Sequence, residues 1–588
     1  MKRSEQRKED TWDLEALYAD GALWKEDYDR ALSLVEHISY WQGKIGESME
    51  AMLSLLGELE TTGMLIENLI IWASLRFESD AGDPDNQKYA GLASALEAKF
   101  SQATSWVDPQ IMAMDSGKLE SWLSDDRFSS YRIFIRKTLH MKDHTLSDSE
   151  EHLLSLNSEA SSACSDAFHD LNDVDLDFGT INGVRLTHAS WQSFMQNPDE
   201  NVRRDAYKRL YGVYEAHRHV LSRLYSGSVN QDIFEARARK YSSSLEAALY
   251  PDKVPQEVYR NLIGTVHDGF RSLHRYYALR AKLLGKTKLN HYDVYLPMVE
   301  DVSSHYSYDE AVSLISDAVA PLGDEYRDTL VNGLGPARWV DRYENEGKRS
   351  GAFSSGGYRT MPYILTNYRD DVLSSVFTLI HEGGHSMHSW YSARNNAFLS
   401  YNYTIFEAEV ASTFNEELLS RHLISGCTDE RMKRYLVASR LDDMVGTLFR
   451  QTMFAEFELR VHEEVERGGV ATLDFMRKTY RSLLEAYFGP SVVFEPESDL
   501  EFLRIPHFYR AFYVYKYATG ICASIALADR VLTGGERERN DYIGFLKSGG
   551  SHYPIDSLRS AGVDMGRKES VQAAIGRFDA LMDILEGK

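Results

Sequence analysis

His381, Glu382, Gly383, Gly384 and His385 stand in a row in this chain. On an α-helix, residues four apart lie nearly one above the other, so the two histidines can turn their imidazoles toward a single ion. Zinc is the expected metal, because a catalytic zinc takes about three protein ligands from His and carboxylate and keeps one position for water. Glu382, a carboxylate that does not ligate, can then remove that water's proton, which is chemistry suited to hydrolysis of an amide bond. The competing reading is a structural helix with satisfied core histidines, since a five-residue pattern also arises by chance. Context weighs against it. Apolar residues at helical spacing run from Asp371 to Ile380, with Asp370 or Asp371 placed to cap the start. Two adjacent glycines inside a buried helix cost about 1 kcal/mol each relative to Ala, so something must approach the backbone closely there.

Two histidines do not complete a catalytic zinc site. His388 lies two turns beyond His381, about 10 Å along the axis, too far to join the same ion, and reads as a supporting or core residue. A helical stretch from Ile405 to Glu417 offers carboxylates instead. Glu409, Ser412, Thr413 and Glu416 share one face, while Glu407 groups with Ala411, Phe414 and Leu418; periodicity leaves both Glu407 and Glu409 open as the third ligand. Between Ile505 and Tyr517 stand His507, Tyr509, Tyr513, Tyr515 and Tyr517. Such aromatic density is ordinarily packing, but beside a metal motif these groups can donate hydrogen bonds to a developing oxyanion.

The positioning elements come next. Gly351 to Gly357 is a glycine-rich loop, and Tyr358 to Tyr368 reads as an extended strand just before the motif helix. A free strand edge there would pair with an extended peptide, which makes Gly351, Tyr358 and Tyr363 candidates for substrate contact. The loop lacks the Gly-Lys-Ser/Thr ending of a nucleotide site. From about Leu14 to Phe178 the chain reads as successive amphipathic helices, including Ala31–Ile38, Met49–Leu59 and Leu65–Phe77, broken at Gly82-Asp83-Pro84. Asn182-Gly183 predicts a two-residue hairpin turn and a boundary nearby, and long helical patterns resume after Pro198.

A chain of 588 residues can bury a deep cleft. Its 89 acidic residues against 65 basic ones leave a net charge of −24, which disfavours nucleic acid and anionic lipid as partners. No obligate protein partner is evident. Cys164, Cys427 and Cys522 are odd in number and widely spaced, pointing to reduced thiols and a cytoplasmic location. The amino terminus, Met1 to Asp10, has no apolar segment of the signal-peptide kind, and the best apolar run, Met64 to Leu75, is interrupted by Glu67 and Asn68.

With these residues in view, the chain resembles oligoendopeptidase F, of the thimet-oligopeptidase-like zinc metallopeptidases. The resemblance is carried nearly end to end, by Thr11-Trp12-Asp13-Leu14 with Leu17-Tyr18, Gly351-Ala-Phe-Ser-Ser, Asn367-Tyr368, His381 to His388, Ala408-Glu409-Val-Ala-Ser412, Pro506-His507-Phe-Tyr509 and Lys547-Ser-Gly-Gly550. It implies one zinc ion held by His381, His385 and Glu409, with Glu382 as general base. It also implies a mainly α, two-lobed ellipsoid with a deep central channel for short unstructured peptides, and a small β-sheet beside the zinc helix. Residues 1–195 would form the N-terminal helical region and 196–588 the catalytic domain. Of the His and Tyr cluster that relatives direct at the substrate carbonyl, His507 and Tyr515 match best, with Tyr509 and Tyr513 open alternatives. Glu416 is the candidate to orient a ligand histidine, with His388 as further support. An exopeptidase on the same scaffold, or a catalytically silent peptide-binding protein, are the competing functions; the first needs a charged anchor for a substrate terminus, and no such residue is evident.

Overall fold

Apolar residues at helical spacing become long helices. In the computed structural model, which describes residues 1–299, 302 and 304–588, the two stretches read as Met49–Leu59 and Leu65–Phe77 are one helix, Met49–Ser79. Ser48 caps it by accepting from the Ala51 amide at 3.1 Å. The break after it falls as expected: Asp83 caps the next helix, Pro84–Thr104, and Pro84 occupies the first turn, where its missing N–H costs nothing. The helical pattern after Pro198 runs without interruption for 39 residues, Glu200–Ala238. Strands are few and short, so the fold is mainly α. The Asn182-Gly183 hairpin forms with both residues at positive φ (52° and 81°), pairing Thr180 with Arg185 and Ile181 with Val184.

Compactness divides the chain into two units, each drawn from three separate stretches. One gathers Met1–Lys142, Ser303–Ser425 and Leu527–Val563; the other gathers Asp143–Val302, Gly426–Ala526 and Asp564–Lys588. Among the described residues no helix is long and apolar enough to cross a membrane.

The first unit contains the motif helix, Ser374–Asn395, and a three-stranded sheet beside it. Strand Tyr363–Leu365 lies in the middle, parallel to Val340–Asp341 and antiparallel to Phe353–Ser355. This corrects the expected strand in two ways. Only Tyr363–Leu365 of the Tyr358–Tyr368 stretch is strand, and both its edges are taken, so all three of its residues are buried. The outer edge belongs to Phe353–Ser355, inside the stretch read as a glycine-rich loop, where Gly351 enters at φ 85°. Trp12, Ile71, Leu75, Tyr363 and Leu365 form one buried cluster, so the long N-terminal helix backs the sheet. The motif helix also begins later than its apolar pattern predicts, at Ser374 without a side-chain cap, because Asp371 pairs with Arg369 instead.

The second unit packs Tyr225, Phe457, Phe502 and Phe508 against one another around the helices Glu200–Ala238 and Gln451–Glu466. Its interior also holds Glu501, paired with Arg450 and Arg504 and accepting from the Tyr480 hydroxyl at 2.8 Å.

Candidate active site

The two glycines explain how the site is assembled. A Cβ built on Gly384 would stand 2.6 Å from the Ala411 carbonyl oxygen and 2.7 Å from the Ser412 Cα, so the motif helix touches the backbone of the following helix, Ile405–Gly426, at this residue. Only glycine permits that approach, and it sets His381 and His385 against the face carrying Glu409 and Glu416. At Gly383 the nearest neighbour is a Leu330 methyl at 3.1 Å, a side chain with room to turn.

The Nε2 atoms of His381 and His385 stand 3.8 and 4.0 Å from Glu409 Oε2, and donor atoms of the three residues lie within 4.8 Å of one another. Tetrahedral donors around zinc at ordinary bond lengths are about 3.3 Å apart, so a slight closing of these side chains would seat the ion, and an N, N, O set suits it. His381 is oriented through its other nitrogen, and His385 by a backbone group. His381 Nδ1 donates to Glu416 Oε1 at 2.7 Å, and His385 donates to the Ala408 carbonyl. Glu407 is directed elsewhere: it is buried and accepts from the Thr404 amide and hydroxyl at 3.2 and 3.3 Å, capping its own helix.

The charges match this geometry. Burial works against a charged His381, but Glu416 at hydrogen-bond distance, with Glu382 and Glu409 nearby, lifts it to about 9. Burial lowers His385 to about 3, assisted by the positive charge on His381. Burial raises Glu382 to about 7, with His381 opposing the rise and Glu409 and Glu416 adding to it. Three carboxylates around two imidazoles make a locus of negative potential suited to a cation. The Ser354 amide donates to Glu382, and the Ser354 and Ser386 hydroxyls meet at 2.9 Å, so the outer strand is fastened to the motif helix beside the general-base candidate.

Other expected residues are placed as follows. His388 is fully buried, its ring stacked on Tyr403 at 3.6 Å and facing Phe545, and burial lowers it to about 3; it is a neutral core residue outside the donor set. Gly351 is exposed at the head of the outer strand. Tyr358 donates its hydroxyl to the Asn396 carbonyl and its amide to Glu67, at 3.0 and 2.6 Å, which fixes the loop from behind. Tyr363 is buried against Trp12 with its hydroxyl on the Asp13 carbonyl, so its side chain has no face left for a ligand.

In the second unit, His507, Tyr513 and Tyr517 come together. The His507 ring lies 6.3 Å from Tyr513 and 5.9 Å from Tyr517, the two tyrosines are 5.5 Å apart, and all three are half-buried. Tyr515 does not join them: it is 1% exposed and packs on Tyr259 at 5.1 Å, inside the unit. Tyr509 is wedged between Phe168 and Tyr225. Tyr517 stands in the aromatic stretch but is not among the residues that the resemblance singles out; its spacing of four from Tyr513 is a usable signal. Burial, with Arg510 nearby, lowers His507 below the ordinary imidazole value.

Known proteins resemble this chain over nearly its whole length. The family described as Peptidase family M3 matches residues 193–577, and Oligopeptidase F matches residues 110–178. An oligoendopeptidase F homolog from Borreliella burgdorferi is 38% identical over 587 residues, covering 99% of each chain. An oligopeptidase PepF from Bacillus subtilis is 38% identical over 590 residues, covering 99% of this chain and 88% of the relative. Among solved structures, a peptidase from Chlamydophila abortus superimposes with a TM-score of 0.92 at 34% identity, covering 99% of both chains. Oligoendopeptidase-F from Enterococcus faecium gives 0.73 at 31% identity, covering 96% of this chain and 99% of that one. Similarity of this breadth, in a chain whose donor set fits a divalent ion, establishes that it belongs to peptidase family M3, as a metallo-oligopeptidase.

Proposed function

We propose that one zinc ion is held by His381, His385 and Glu409, and that the enzyme hydrolyses internal bonds of short unstructured peptides with Glu382 as general base. When bound, the ion supplies Lewis acidity to the scissile carbonyl and to water. Glu382 takes the proton of the attacking water and passes it to the leaving amine. His507, Tyr513 and Tyr517 are assigned as hydrogen-bond donors in the reaction, and the outer edge of Phe353–Ser355 as the rail that pairs with the extended peptide. Glu416 keeps His381 turned toward the ion. The observation that carries the reading is the convergence of two Nε2 atoms and one Glu409 oxygen, with the Glu382 carboxylate beside them and outside the donor set.

The proposed compartment is the cytoplasm, supported by three unpaired thiols, Cys164, Cys427 and Cys522. Short peptides are the proposed partners, and the proposal includes no nucleic acid, membrane or protein partner.

An internally quenched peptide assayed with and without chelator tests the metal. Glu382→Gln should lose at least about 1000-fold in kcat while its zinc content stays at the wild-type level; near-normal turnover in that variant would remove Glu382 from the chemistry. Peptides blocked at both ends separate the two cleavage modes by mass spectrometry: internal fragments are expected, and failure to cut them would favour an exopeptidase.

A further inference from the structure

The second unit buries an acid that the reaction above does not use. Glu458, on the helix Gln451–Glu466, is 0% exposed, and among the described residues no lysine or arginine pairs with it. One of its oxygens accepts the backbone N–H of Phe512 at 2.6 Å, and the other, Oε2, has no partner. An acid buried this way is costly, and a position that needed only packing would be filled by Leu or Met.

Phe512 is the unusual residue at the other end of that bond. Its φ is 53°, a left-handed conformation that is strained for a residue bearing a side chain and persists only when its surroundings hold it. Two things hold it. The Glu458 oxygen takes its amide, and its ring sits between His462 at 4.7 Å and Tyr259 at 5.7 Å. His462 is itself fixed, with Nδ1 2.8 Å from the Glu458 carbonyl and Nε2 3.1 Å from Asp232.

The location of this turn gives it a use. It follows the turn Pro506–Tyr509 that carries His507, it immediately precedes Tyr513, and it leads into the helix Tyr515–Thr533 that carries Tyr517. The backbone of one residue therefore governs how three polar side chains face one another. We propose that Glu458 is a positioning residue for peptide hydrolysis: its carboxyl oxygen fixes the left-handed turn at Phe512 and so keeps His507, Tyr513 and Tyr517 together. The inference rests on the proposed role of that cluster in the reaction.

Substitutions that grade the acceptor test it. Glu458→Gln keeps an oxygen for the Phe512 amide and should retain kcat within about 5-fold. Glu458→Met removes the acceptor, and Glu458→Asp withdraws it by one methylene; both should lower kcat by about 10- to 100-fold with KM nearly unchanged, at temperatures below their melting transitions and with wild-type metal content. The Asp variant carries the test should the Met variant not fold. Because the effect is exerted through the cluster, Glu458→Asp should add little to the loss already caused by Tyr517→Phe. Wild-type kcat in the Met and Asp variants, or a loss that multiplies fully with that of Tyr517→Phe, overturns the inference while leaving the cluster in place. Wild-type kcat in Tyr517→Phe and His507→Ala removes the cluster from the reaction, and the role of Glu458 falls with it.

Discussion

Four glutamates lie on or near the two imidazoles, and what separates them is the atom each one faces. Glu409 meets both Nε2 atoms, Glu416 meets the Nδ1 of His381, Glu382 is met by the Ser354 amide, and Glu407 caps its own helix. Removing each should therefore give a different phenotype. Glu409→Ala is expected to strip the ion at moderate chelator strength, read as zinc content after dialysis; full retention would return the ligand role to Glu407. Glu416→Gln keeps a hydrogen-bond acceptor but removes the charge, so metal affinity should fall by about 10- to 100-fold in a competition titration, with less effect on turnover at saturating zinc. Equal metal affinity in that variant would leave Glu416 as a bystander.

Between elements, the site depends on how closely two helices approach. Alanine at Gly384 would gain about 1 kcal/mol in helix propensity and would still be destabilising, because its methyl meets the backbone of Ala411 and Ser412, which cannot turn aside. Gly384→Ala is expected to lower stability by about 1–3 kcal/mol in denaturant melts and to weaken metal binding, since separating the helices moves His385 away from Glu409. At Gly383 the obstacle is a leucine methyl, and Gly383→Ala should stay within about 1 kcal/mol of wild type with its metal site intact. Similar losses in both variants would mean that the close contact is not what holds the donor set together.

Across the whole molecule, acid sensitivity should be concentrated in buried carboxylates. Burial alone would raise Glu501, but the Arg450 and Arg504 guanidiniums outweigh it and bring the carboxyl to about 2, against an ordinary value of 4.5. Between 4.5 and about 2 the unfolded chain binds a proton that the folded chain refuses, so stability present above that window is lost as pH falls through it. Glu501→Gln should flatten this dependence in melts between pH 5 and 3. At pH 7 it should cost about 3–5 kcal/mol, because two guanidiniums keep their burial and lose their counter-charge. An unchanged acid slope in the variant would assign the sensitivity to other groups.

How much could be read from one dimension follows the range of the forces involved. Helices, the Asn182-Gly183 turn, the break at Pro84 and the placing of His381 and His385 side by side on one helix face are set by residues a few positions apart, so periodicity and turn chemistry determined them in the sequence. The identification of a metallopeptidase was likewise local in origin, resting on short motifs. Tertiary structure decided what depends on distant neighbours. Spacing alone could not turn Glu407 into its own cap and Glu409 toward the histidines, or show that Gly384 faces a backbone and Gly383 a side chain. It could not show that Tyr363 and Tyr515 are spent on packing while Tyr517 stays beside His507. Those outcomes follow from burial and packing, which are properties of the surface that closes over a residue, contributed by parts of the chain tens to hundreds of positions away.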